Sequence, residues 1–180
     1  AILYAHQNGV ETAIITGRGQ LGAELAIQHL NIDVPYICSA GAMVRSGLGG
    51  EVLGSWPFHI PLQTNKLIQF AIDNDIALLG EQVDAKMIWH GSEQRYDLLD
   101  PKTKDEVKQG FVSKDPFISY DRPLLKLTLG TETKLHQAVS FILQECPGLF
   151  PVISSHMYLD TTKAGVDKGH GLAHLAKMRG

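Results

Sequence analysis

Short apolar runs alternate with amphipathic stretches along the first third of the chain. Ala13-Ile14-Ile15 follows a Gly-Val turn and reads as a strand over 12–16, buried on both faces. Leu21, Leu25, Ile27 and Leu30 then fall towards one side of a helix over 20–30. Residues 1–8 look like the second half of another helix, stopped at Asn8-Gly9. Asp33-Val34-Pro35 turns the chain into a strand over 35–39. Helix, strand, helix, strand is the grammar of a parallel sheet with right-handed crossovers. A short strand at 42–44 and the glycine-rich piece Arg45–Gly50, a candidate hinge or hairpin, close this part.

From Glu51 the pattern changes. A short strand at 51–54 precedes an amphipathic helix over 62–74, then strands at 76–79 and 85–89. Residues 91–121 are polar and turn-rich, with short helices expected, as over 101–108. Leu124 to Leu129 alternates with period two, giving a strand with one wet face. Thr131 is placed to cap a helix over 132–145, and strands are expected at 150–154 and 157–160. The middle of the chain therefore reads as an α+β module with an antiparallel sheet. The expected fold class is α/β: an incomplete, Rossmann-like parallel core over 1–46 and 158–180, interrupted by the inserted module at 47–157. The chain starts without Met and ends on a helix, so a larger domain with flanks outside these residues is expected.

Candidate chemistry sits where the first strand turns into its helix. A strand running into a helix N-terminus collects free backbone N–H groups and a positive dipole end, which suits an anion. Thr16 adds a hydroxyl and Arg18 a guanidinium, so a phosphate is the first reading. Gly17, Gly19 and Gly22 also match the dinucleotide fingerprint G-x-G-x-x-G, the second reading. That fingerprint wants an acid at the end of the next strand, and Pro35–Ala40 ends without one. The third reading is a plain turn that binds nothing. Near the other end, Asp167 is placed as an N-cap and Lys168 in the first helical turn. A lysine there opposes the helix dipole, which an anion would offset; otherwise it is a solvated surface residue.

Bulk properties narrow the picture. With 180 residues the chain buries one good core or two small ones. A net charge of −3 gives no reason to expect nucleic acid, and no apolar run is long enough for a membrane span. Cys38 and Cys146 form no disulfide or zinc pattern, which points to a reducing compartment, the cytoplasm. His170 and His174 are spaced i, i+4, but without the Glu of H-E-x-x-H or a third ligand nearby no metal site is assigned. His90, His136 and His156 read as surface residues. Trp56, Phe58, Trp89 and Tyr120 are candidates for a substrate face or for plain core.

Three segments together resemble the Cof-type branch of the haloacid dehalogenase superfamily of phosphatases: Ala13-Ile-Ile-Thr16-Gly17-Arg18 with its helix, Pro35-Tyr-Ile-Cys-Ser-Ala-Gly41-Ala42, and Leu159-Asp-Thr-Thr-Lys-Ala-Gly165-Val-Asp-Lys168-Gly169. They are similar to that family's second and third motifs, in the right order, and residues 47–157 have about the length of its C2B cap. The resemblance implies Mg²⁺-dependent hydrolysis of a small phosphomonoester, a sugar or cofactor phosphate, through an aspartyl-phosphate. It implies catalytic roles for Thr16 and Lys168, and phosphate binding by Thr16, Gly17, Arg18 and Lys168. The family's nucleophile motif would precede residue 1 and its remaining metal-binding acids would follow residue 180, so Mg²⁺ ligands are expected outside this chain. Asp73 and Asp75 sit at a helix end and Asp97 and Asp100 in a loop, so neither pair replaces the nucleophile. Ala40 also stands where the family tends to have Asn. The alternatives are a catalytically inactive phosphate-binding or regulatory remnant and, less favoured, a dinucleotide-binding domain.

Overall fold

A computed structural model describes residues 2–84, 87–90, 112–113 and 121–180, with backbone only at 87–90 and 112–113. The helix expected over 101–108, the acids Asp97 and Asp100, and Tyr120 lie outside the described residues, as do the side chains of Trp89 and His90. In chain order the elements are α1 (Ile2–Gln7), β1 (Ile14–Ile15), α2 (Gln20–Leu30), β2 (Tyr36–Cys38), β3 (Met43–Arg45) and β4 (Val52–Ser55). There follow α3 (Pro61–Asp73), β5 (Ala77–Gln82), β6 (Met87–His90), β7 (Val112–Ser113) and β8 (Leu124–Gly130). The last are α4 (Leu135–Glu145), β9 (Leu149–Ile153), β10 (Tyr158–Lys163) and α5 (Lys168–Arg179). They divide into two compact units: Ala1–Trp56 with Gly165–Gly180, and Pro57–Ala164.

The first unit carries a four-stranded sheet in the order β1-β2-β3-β4. The β1–β2 pair is parallel, with Ile14 opposite Tyr36 and Ile15 opposite Ile37. The glycine-rich piece after β3 is a hairpin rather than a hinge: β3 and β4 pair antiparallel, and Ser46 and Glu51 are tied by bonds of 3.0 and 2.8 Å. Ile37, Val44 and Leu175 of α5 form the core, with Leu53 and Trp56 packed against it. Trp56 is thus a packing residue of this unit. The first strand was expected to be buried on both faces. Instead Ile15 is 36% exposed, since among the described residues β1 is an edge strand that pairs with β2 alone. A cleft of about 570 Å³ runs along that edge, lined by Ala13, Ile15, Leu172, Leu175 and Ala176 among others.

The second unit carries a six-stranded sheet in the order β7-β6-β5-β8-β10-β9. Its pairs are antiparallel except β6–β7. One face packs on α3 and α4 through Leu67, Ile68, Leu127, Leu129, Ala138 and Ile142. Phe70 and Phe141 stack between the two helices with centroids 4.1 Å apart, and Phe58 is buried in the same core. The helix after Thr131 starts at Leu135, three residues beyond the expected place. The Thr131 hydroxyl is spent on the preceding turn, accepting from the N–H groups of Thr133 and Lys134 at 3.5 and 3.4 Å.

The two sheets move both expected boundaries. β4 was expected in the inserted module, but it pairs with β3 and belongs to the first sheet. Residues 158–163 were expected in the parallel core. They form β10, which pairs antiparallel with β8 and β9, with Leu159 opposite Leu129 and Ile153. Leu159 is fully buried in the core beneath α3 and α4, which decides its side of the boundary.

Both cysteines are buried. Burial pushes the Cys146 thiol up to about 11, so at pH 8 only about one part in a thousand is thiolate. Native protein at pH 8 is therefore expected to show no fast-reacting thiol with a disulfide reagent, and two after denaturation. A rapid native reaction would contradict the packing of Cys38 and Cys146.

Candidate functional site

The parallel pairing of β1 and β2 puts the residues that follow each strand at the same, carboxyl end of the sheet. Thr16 follows β1, and its N–H donates to the Ile37 carbonyl at 2.9 Å, the last rung of the ladder. Its hydroxyl accepts from the Arg18 N–H at 3.1 Å, which curls Thr16-Gly17-Arg18 into a tight turn ahead of α2. Thr16 and Gly17 are half-buried and Arg18 is exposed. The N-cap of α2 is Gly19, whose missing side chain leaves the first N–H groups of the helix uncapped by it.

After β2 the chain makes a single turn, Ser39-Ala40-Gly41, with three successive positive φ angles of 52°, 56° and 108°. The Ser39 N–H donates to the Arg18 carbonyl at 2.7 Å, fastening this turn to the first loop. On its other side the turn meets the start of α5. A Cβ on Gly41 would sit 1.9 Å from the Asp167 carbonyl oxygen and 2.7 Å from the Lys168 backbone nitrogen, so only glycine fits. Within α5, a Cβ on Gly171 would meet Ile37 at 2.6 Å and the Gly41 carbonyl at 3.1 Å. Two glycines thus bring the first turn of α5 against the end of β2.

Asp167 caps that helix, its carboxylate accepting from the His170 N–H at 2.7 Å, and Lys168 is the first helical residue, exposed. Thr16, Gly17, Arg18 and Lys168 accordingly lie on neighbouring loops at one end of the first sheet. The route to Lys168 differs from the expected one. It was expected to follow a parallel strand, but β10 is antiparallel, lies in the other sheet and ends at Lys163. Contact with Gly41, not strand order, places the start of α5. Ser39 and Gly171 had no role in the sequence reading. A glycine three residues into a helix is a readable sign of close backbone approach. A serine in left-handed conformation leaves no such sign.

Two other carboxylates of this unit serve its framework, Asp33 ahead of β2 and so at the opposite end of the strand. Glu24 accepts from the Tyr36 hydroxyl at 2.6 Å, and Asp33 accepts from the Leu48 N–H at 2.9 Å. Burial raises the Tyr36 hydroxyl far above its ordinary value, so it remains a neutral donor, and the bond to Glu24 adds to that shift. β2 runs into Ser39 without the acid a dinucleotide site needs. Among the described residues no group of three or more His, Cys, Asp or Glu stands together to hold a metal ion. The residues present therefore do not by themselves fit a magnesium site. The rings of His170 and His174 pack edge-on to Trp56 at 4.5 and 4.8 Å, and His174 Nε2 lies 3.0 Å from the Leu53 carbonyl oxygen. Asp73 ends α3 and Asp75 follows it, as the sequence suggested. His136 and His156 are exposed.

Comparison with known proteins gives a consistent answer. Among solved structures, a haloacid dehalogenase-like hydrolase from B. subtilis superimposes with a TM-score of 0.77 at 15% identity, over 99% of this chain and 70% of that one. A haloacid dehalogenase-like hydrolase from Bacteroides thetaiotaomicron gives 0.75 at 16% identity, over 99% and 67%. A sugar phosphatase of subclass IIB in the same superfamily gives 0.70 at 16%, over 99% and 66%. At these identities the likeness concerns the fold, and the chain spans about two thirds of the length of the structures it matches. A search among curated proteins found no match. Among the described residues no helix is long and apolar enough to cross a membrane. The family model for haloacid dehalogenase-like hydrolases matches residues 1–180, and the chain belongs to that family.

Proposed function

We propose that these residues form the phosphate-holding part of a phosphomonoester hydrolase that acts on a small phosphorylated metabolite, a sugar or cofactor phosphate. The observation that supports this most is the meeting of the Thr16-Gly17-Arg18 turn and the Lys168 helix start at one sheet end, joined by Ser39–Gly41. In this reading the Thr16 hydroxyl, which accepts from the Arg18 N–H, turns its own proton to a phosphoryl oxygen, and Gly17 and Arg18 line the same phosphate. Lys168 brings the positive charge that meets the growing negative charge of the transferring group. Arg18 holds its loop or reaches the substrate. The second unit acts as a C2B-type cap that selects the leaving group and excludes water. Mg²⁺ is expected of such an enzyme, with ligands outside this chain, and no step here is assigned to it. The cytoplasm is the proposed compartment, and a sugar phosphatase among the structures of like fold supports the substrate class.

The test is release of inorganic phosphate from a panel of sugar, nucleotide and cofactor phosphates by the protein that contains these residues in full length. Turnover of at least one ester is expected. The 180-residue chain by itself is expected to hydrolyse p-nitrophenyl phosphate no faster than buffer, since Asp167, the carboxylate next to Lys168, is taken up in capping α5. Phosphate binding without turnover in the full-length protein would instead support the regulatory reading. Neither binding nor turnover would sink the proposal.

A further inference from the structure

The turn that joins β2 to β3 runs through left-handed backbone at Ser39, Ala40 and Gly41. Two successive non-glycine residues sit in the left-handed region, Ser39 at φ 52° and Ala40 at φ 56°, ψ 25°. Neither residue has the side chain that usually softens the penalty of positive φ. A left-handed bend here achieves two things at once. It turns the Ser39 N–H back onto the Arg18 carbonyl at 2.7 Å, and it presents the bare Cα of Gly41 to the Asp167 carbonyl and Lys168 N–H. The turn also closes on itself, with the Ala42 N–H donating to the Ser39 carbonyl at 3.1 Å.

We propose that Ser39–Gly41 is a positioning element: its left-handed backbone sets the spacing between the Thr16-Gly17-Arg18 turn and the Lys168 helix start, so that both address one anion. This rests on the phosphate reading above. Ser39, Ala40 and Gly41 touch no substrate in this account; they act through Arg18 and Lys168. The property that matters at position 40 is tolerance of positive φ, not the side chain. Asn and Gly tolerate it, whereas Val, branched at Cβ, resists it strongly. Position 40 already carries a Cβ and is half-buried, whereas a Cβ at position 41 would collide with the Asp167 carbonyl.

The test is a titration of the chain with inorganic phosphate, followed by backbone amide shifts in NMR. In the wild type the amides of Gly17, Arg18, Lys168 and Gly169 are expected to move together with one dissociation constant. Ala40→Val is expected to bind phosphate about tenfold more weakly, while Ala40→Asn recovers most of that loss. Amide shifts of the second unit should stay unchanged in both variants. Should Ala40→Val fail to fold, the wild type still decides: phosphate is expected to slow hydrogen exchange of the Ser39 amide in step with that of Lys168. If the wild type shows no shifts at all, the phosphate reading falls and this inference with it. If the wild type binds, but a folded Ala40→Val binds equally well or Ser39 exchange ignores the ligand, only the positioning role is overturned.

Discussion

Lys168→Ala, made in the full-length protein, is expected to lower kcat for its phosphomonoester by about 10²–10³-fold, the scale seen when a preorganised transition-state donor is removed. The loss should appear in kcat and kcat/KM alike, because the charge matters most when the transferring group carries most negative charge. Stability gives an independent control. Lys168 is exposed at the first position of α5, where its charge opposes the helix dipole. Removing it should leave Tm unchanged or slightly higher, so lost activity cannot be ascribed to unfolding. Thr16→Ala should cost less, about tenfold or below, because a neutral hydrogen bond is worth about 0.5–1.5 kcal/mol. An unchanged kcat/KM in Lys168→Ala would remove this residue from the mechanism.

The parts of the site written in consecutive residues were legible in the sequence. The run Ile14-Ile15-Thr16-Gly17-Arg18 into a helix is local pattern, and so is Asp167 as the cap that starts α5. What brings the two together was not legible. β10 looked like a core strand because Tyr158 to Lys163 continues into the Lys168 segment, and strand residues carry no mark of which sheet they join. That was decided by pairing with Leu129 and Ile153, contacts distant or across a turn in sequence. The edge position of β1 was hidden for the same reason: an apolar triplet says "strand" but not how many neighbours it has. Left-handed backbone at Ser39 and Ala40 left no trace, since neither residue type is selected for it. Gly41 and Gly171 were readable as glycines, but only the packing of α5 on β2 shows what they make room for.

The largest stability effect expected outside the site lies in the sheet of the second unit. Lys126 and Asp160 are buried on the face of the sheet away from Leu127 and Leu129, with side chains 11% and 10% exposed and Nζ 3.3 Å from Oδ1. The Thr128 hydroxyl donates to the same carboxylate oxygen at 2.7 Å, and Glu81, also buried, is the cross-strand partner of Lys126. Lys126 therefore lies between two acids on neighbouring strands. Asp160→Ala withdraws one of them and the acceptor for Thr128 from a poorly solvated place, at an expected cost of about 3 kcal/mol. Asp160→Asn should cost less, because its amide oxygen still accepts from Thr128. Replacing both members, Lys126→Met with Asp160→Leu, should cost clearly less than the sum of the two single changes, since the pair's own attraction is largely offset by its desolvation. Urea unfolding of the four proteins measures this coupling directly. Additive losses would mean that the two charges do not sense each other, and that the sheet owes its register to its apolar face alone.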